Sequence, residues 1–222
     1  MSLRDPMWPG LPLASIDGGA LVADLCAQLD DQPRWRPLSD KEGIAVAVGR
    51  TPGCPCKAYR SVVDLDGTLD AVVRLIADDM FERLGDWNTQ FQEGHILRVL
   101  DDTKGRKAWL MRVFYATPFL LANREYLYYL ARHTLEGGRV AIVYCSVDDP
   151  ASPPRDGYVR GVLHPSIHRC TALTPTRTRL EHILATDIGG SISPWIQNNI
   201  FAGGLASAMK ADARAQRRLF PA

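Results

Sequence analysis

Three segments of this chain are apolar at almost every position, and they constrain the fold more than any other feature. Ala108-Trp-Leu-Met-Arg-Val-Phe-Tyr-Ala116 is broken only by Arg112. Tyr126-Leu-Tyr-Tyr-Leu-Ala131 and Arg139-Val-Ala-Ile-Val-Tyr-Cys145 are similar. An antiparallel sheet with one wet face alternates apolar and polar residues along each strand. These segments do not alternate, so either protein covers both faces or one face lines an apolar chamber. Periodicity alone favours the covered sheet.

Around them the chain reads as α+β. Ser15-Ile16-Asp17 caps a short helix with Leu21, Val22, Leu25 and Leu29 at helical spacing. Three strands are expected at 35–39, 44–48 and 57–63, then short helices over 68–84. From Thr89 the pattern is β, with strands over 96–100, 108–116, 126–133, 139–146, 158–163, 170–173 and 179–185. Separators such as Asp-Asp-Thr-Lys-Gly and Glu-Gly-Gly favour antiparallel hairpins over βαβ crossovers. After Pro194, with Ser193 as its cap, the pattern is helical to the end. No repeat is seen, so residues 1–222 are expected to form one domain, with an irregular lead-in over 1–14.

Composition removes several function classes. With 26 Lys+Arg against 25 Asp+Glu, the chain has no global field for a polyanion, and no nucleic-acid partner is expected. The first residues lack the apolar core of a secretory signal, and no segment offers the ~18 apolar residues of a membrane span. Cys26, Cys54, Cys56, Cys145 and Cys170 are an odd set without regular spacing. Cys54-Pro-Cys56 is half of a zinc site with no second half at ligand spacing, so no metal is expected. Cys26 and Cys145 read as small buried hydrophobes, and a reducing, cytoplasmic compartment is expected.

Catalytic motifs are absent: there is no GxGxxG after a strand, no P-loop, no nucleophile elbow and no HExxH. His95, His133, His164, His168 and His182 are scattered and read as structural histidines, with His168 in a loop-like stretch around Pro165. Two other features stand out. Thr117-Pro-Phe-Leu-Leu-Ala122, between two of the apolar strands, is a loop with three large apolar side chains in a row. The 22 residues from Ile188 to Met209 carry no charge in a chain that is 23% charged. Lys210, Arg214, Arg217 and Arg218 follow, suiting either the helix dipole or an anionic membrane surface. Gly203-Gly204 makes a bend plausible there, at about 1 kcal/mol of helix propensity per Gly.

Four pieces in order resemble the START (StAR-related lipid transfer) domain family, over roughly Trp35 to the C-terminus. Arg83–Asn88 with Trp87 is similar to the family's R-x-x-W-D turn. Pro118-Phe119 with Asn123-Arg124-Glu125-Tyr126 resembles P-F…N-R-D-Y/F. Ser146-Val147 with Gly157-Tyr-Val-Arg160 resembles S-V…G-x-V-R. Asp187-x-Gly189-Gly190-x-Ile192 with Pro194, Trp195 and Asn198 resembles D-x-G-G-x-I-P-x-W-x-x-N.

The resemblance implies a helix-grip fold: a curved antiparallel sheet wrapped around a long C-terminal helix, enclosing an apolar tunnel for one lipid. It implies a lipid-binding wall of Met111, Val113, Tyr115, Tyr126, Tyr128, Leu130, Trp195, Ile196 and Ile200. Pro118, Phe119, Leu120 and Leu121 would form a gate. Sterol-binding members carry a carboxylate and an Arg where this chain has Met111 and Leu130; in phosphatidylcholine binders, Tyr126 is kept but another cage position falls on Val113. A weakly polar ligand is therefore expected: a fatty acyl, sterol-like or polyisoprenoid lipid. The implied protein is a monomer without cofactor or catalytic residue, touching membranes transiently and peripherally. The alternative is a helix-grip enzyme, cyclase- or aromatase-like, with Arg112, Tyr115, Tyr128 and His182 as acid–base groups.

Overall fold

The computed structural model describes residues 10–103, 106–117, 121–199 and 202–221. In chain order the strands are β1 (Leu11–Pro12), β2 (Arg36–Lys41), β3 (Ile44–Gly49), β4 (Ala58–Leu65), β5 (Phe91–Thr103), β6 (Arg106–Tyr115), β7 (Asn123–Leu135), β8 (Arg139–Asp148), β9 (Tyr158–Arg160), β10 (Val162–Leu163), β11 (Ser166–Thr174) and β12 (Arg177–Asp187). The helices are α1 (Gly18–Asp30), α2 (Leu69–Val73), α3 (Met80–Arg83), α4 (Pro194–Asn199) and α5 (Ala202–Arg218). The strands form one open, curved sheet in the order β2-β3-β4-β12-β11-β8-β7-β6-β5.

The pairs along that path are antiparallel, as the hairpin separators predict. Two short attachments depart from expectation. β9 joins β7 in parallel, and β1 joins β8 in parallel at Leu11↔Val147. The lead-in is therefore not wholly irregular. β11 pairs with β8 only as far as Tyr144, leaving backbone groups at Val147 and Asp148 for β1 to meet. Gly10, at φ 95°, lets the chain come this close, since a Cβ there would stand 2.8 Å from the Val147 carbonyl carbon. Both rims of the sheet are irregular. β5 breaks register three times against β6, and β2 breaks it between Pro37 and Ser39.

The long apolar strands are buried on both faces. Toward the convex side, Leu110, Leu127, Ala131, Ala141, Val143 and Cys145 pack against Val22, Leu25 and Leu29 of α1. Asp17 caps α1 as expected, accepting from the amides of Gly19 and Ala20. Cys26 is half-exposed, and so departs from its expected burial. Toward the concave side, Met111, Val113, Tyr126, Tyr128, Leu130 and Tyr144 join residues of α2, of the 74–87 segment and Ala213 of α5.

The 68–84 helical pattern is realised in pieces. Thr68 caps α2, and a wide turn follows in which the Asp79 amide donates to the Arg74 carbonyl. The pieces still keep one face, placing Ile76, Met80, Leu84 and Trp87 over the sheet. Gly203 and Gly204 lie inside the first turn of α5. The basic end of α5 grips the β2–β3 turn: Arg214 makes two 2.6 Å bonds to Glu42. Arg217 donates to the carbonyls of Glu42 and Gly43.

Candidate functional site

Between the concave face and α5 lie two adjoining cavities. The inner one, about 150 Å³, reaches Ile76, Leu84 and Trp87. The outer one, about 380 Å³, opens toward Thr117, Leu121 and α4. They share Asn88, Tyr115, Leu163, Leu184, Met209 and Asp212 as walls. Clefts that hold small organic ligands are of this kind: mostly apolar, with a few placed polar groups.

The predicted wall residues divide. Val113, Tyr128 and Leu130 line the inner cavity, Tyr126 the outer, and Tyr115 both. Met111 belongs to the same buried face but borders neither cavity. Trp195 is a correction: it is 68% exposed. Ile196 is half-buried and is likewise absent from both walls. Of α4, Gln197 and Asn198 line the outer cavity instead. Leu121 lines the outer cavity. Ile200, Pro118, Phe119 and Leu120 lie outside the described residues.

The signature near α4 has a structural reading. Asp187 accepts from the Gly189 amide at 2.8 Å and from the Gln197 amide group at 2.6 Å. Gly189 sits at φ 68°, and a Cβ there would lie 2.6 Å from the Arg160 carbonyl oxygen. Arg124 donates to the Ile188 carbonyl at 2.6 Å. Asn198 accepts from the Lys57 amide at 2.6 Å and donates to the Pro55 carbonyl at 3.0 Å. Cys56 donates its thiol to Gln197. The 54–57 turn thus anchors α4 at the edge of the outer cavity. The thiols of Cys54 and Cys56 are buried, and no cluster among the described residues could hold a metal ion.

Sequence reasoning named Tyr115, Tyr128 and His182 but gave Tyr144, His168 and Asp212 no place in the chamber. The Tyr144 hydroxyl lies 2.6 Å from His182 Nε2. The rings of His182 and His168 stack with centroids 3.9 Å apart, because they are paired positions on β12 and β11. Burial holds His168 down to about 4 and His182 well below the usual histidine range. Burial also lifts Tyr115, Tyr128 and Tyr144 above the usual phenol range, so all three keep their protons. From α5, Asp212 enters both walls, and burial pushes its carboxyl up to about 7. The signals existed. Leu180-x-His182-x-Leu184 has strand alternation, and Leu205, Met209, Asp212 and Gln216 share one helix stripe.

Arg112, weighed as an acid–base group, lies on the convex side. It donates twice to Glu125, which also accepts from Arg160 and from the Arg155 amide. Glu125 is fully buried. That cluster fixes β6, β7 and β9 to one another and touches neither cavity.

A curved antiparallel sheet gripping a C-terminal helix around an apolar chamber defines a helix-grip protein. The START domain family model matches residues 24–219, and the chain belongs to that family. StAR-related lipid transfer protein 5 of Bos taurus is 23% identical over 182 residues, spanning 79% of this chain and 83% of the relative. The Mus musculus protein of the same name is 22% identical over 211 residues, spanning 91% and 92%. The solved structure of human StAR-related lipid transfer protein 5 shares the fold with a TM-score of 0.79 at 21% identity, over 91% of this chain and 93% of that one. Human STARD10 does so with a TM-score of 0.75 at 18% identity, over 90% and 80%. No helix among the described residues is long and apolar enough to cross a membrane.

Proposed function

We propose that this protein binds one hydrophobic lipid in the joined cavities between sheet and α5 and carries it between membranes without chemical change. The observation that carries this reading is the chamber wall: apolar side chains from β6, β7, β12 and α5 enclose a space that the protein itself does not fill. Membership of a family whose relatives are named lipid transfer proteins supports it. Burial of apolar ligand surface supplies the affinity, at about 25 cal/mol per Å² before the costs of association. Residues 118–121 and α4 form the gate, and transient contact with a membrane surface opens it. The working unit is a monomer.

The enzyme reading has less support. Arg112 is held by Glu125 outside the chamber, and Tyr115 and Tyr128 keep their protons, which removes them as bases; of the four candidates His182 lines the inner cavity as a neutral ring paired with Tyr144. Native mass spectrometry of the purified protein is expected to show one lipid per chain. If none co-purifies, and lipid-stripped protein neither binds fluorescent lipids or sterols nor moves them between vesicles, the reading fails. Leu121→Asp is expected to slow transfer about tenfold, or 1.4 kcal/mol in the barrier, with an unchanged melting temperature. An equal transfer rate would remove Leu121 from the gate.

A further inference from the structure

We infer that the inner cavity is a head-group site that takes the uncharged hydroxyl end of the bound molecule and turns away an anionic end. This rests on the lipid-binding reading above and names the class of lipid that the chamber selects.

The charges on the walls carry the argument. The inner wall contains no Lys or Arg. The two basic residues of the joined space, Lys57 and Arg124, line the outer cavity. Both are engaged: Lys57 Nζ donates to the Asn198 carbonyl and Arg124 Nε to the Ile188 carbonyl, each at 2.6 Å. Within the inner cavity the hydrogen-bonding groups are the Tyr144–His182 pair, the stacked His168 ring, the hydroxyls of Tyr115 and Tyr128, and the side chains of Ser61, Asn88, Gln216 and Asp212, none of them a cation. Neither imidazole offers a countercharge, because burial keeps both neutral.

Asp212 is the one carboxylate in either wall, and it makes no hydrogen bond or ion pair among the described residues. A carboxyl on the buried stripe of a helix costs stability, and here no protein group offsets that cost. A ligand hydroxyl would offset it, donating to Asp212 or His168 and accepting from the Tyr144–His182 pair. A ligand carboxylate in the same place would shed its water and face a second carboxylate with no cation nearby. A primary amine would be drawn to Asp212 but would lose its own hydration, so alcohol against carboxylate is the discriminating comparison.

The test is displacement of the neutral dye Nile red, at pH 8, by 1-tetradecanol and by myristate. Wild-type protein is expected to release the dye at a concentration of tetradecanol at least tenfold below that of myristate. In Asp212→Asn, myristate is expected to gain about tenfold while tetradecanol stays within threefold; this isosteric change removes a lone buried charge and keeps the fold. In Tyr144→Phe, tetradecanol is expected to weaken about fivefold with myristate unchanged. An alcohol-to-acid ratio unaltered by Asp212→Asn would overturn the head-group inference, while the displacement itself would leave the lipid-binding reading standing. Failure of Nile red and of both probes to bind would overturn the two together.

Discussion

The two faces of the central strands are both apolar, yet they are built differently. On the convex side, Ala108, Ala131, Ala141, Val143 and Cys145 let α1 settle close to the sheet, with Leu25 and Leu29 fully buried between them. On the concave side, Tyr115, Tyr126, Tyr128 and Tyr144 line the cavities between the sheet and α5, and that space is not filled. Small residues under a helix let it close onto the sheet as a packed core. The same strand can serve both sides because successive side chains point to opposite faces.

The contrast is sharpest within β7, where Leu127 faces α1 and Leu130 faces the inner cavity. Leu127→Ala is expected to cost about 4 kcal/mol, in the upper half of the range for such truncations, because its surroundings have no space into which to relax. Urea denaturation reads this directly. Second in size is Glu125→Gln, which leaves Arg112 and Arg160 without their buried countercharge and is expected to cost about 3 kcal/mol. Vesicle transfer by the folded fraction should be unaffected, since the cluster lies outside the chamber. Leu130→Ala is expected to cost only about 2 kcal/mol, because it widens a cavity that already exists. Equal losses at 127 and 130 would break the comparison.

The smallest effect is in pH. The folded pKa of Asp212, about 7, lies above its ordinary 3.8, so the native chain binds more protons between those values and stability falls as pH rises through them. Asp212→Asn is accordingly expected to be more stable than wild type at pH 8, by about 1–2 kcal/mol with part of the shift discounted for solvent screening, and close to equal at pH 4. The folded pKa of His168, about 4, lies below its ordinary 6.5. There the unfolded chain binds more protons, and stability falls as pH drops from 6.5 toward 4. Denaturation midpoints of wild type, Asp212→Asn and His168→Leu at pH 4, 6 and 8 would separate the two.

Most of the fold was legible in the sequence because strand runs, caps and hairpin separators are local signals. Asp17, Thr68 and Ser193 stand at helix starts, and the β5–β8 meander follows from its turns. Ser193 illustrates the local rule: its carbonyl accepts from the Gln197 amide at 3.1 Å. Periodicity favours the covered sheet, whereas the concave face borders cavities, because an apolar side chain reads the same against protein as against a cavity. Trp195 came into the wall with the family resemblance, and a motif does not say which way each side chain turns. His168 and Asp212 escaped, and His182 was named without its partners, because no two of the three are neighbours in sequence. Strand pairing brings the histidines together, and helix placement brings the carboxyl into the wall of the same cavity. The basic end of α5 likewise had a partner, Glu42, that lies 172 residues away in sequence from Arg214.

The breaks in register at the two rims have a further consequence. An open sheet ends in two rows of unpaired backbone groups, and β5 adds exposed Ile96, Leu97, Val99 and Leu100 to one of them. A straight strand with that composition would be a template for stacking copy upon copy into aggregates. Three breaks in register interrupt the ladder of β5. At the opposite rim Pro37, which has no amide hydrogen to give, interrupts β2 beside its own irregularity. The same irregularities that look like flaws in the sheet make each border a poor template for a second copy.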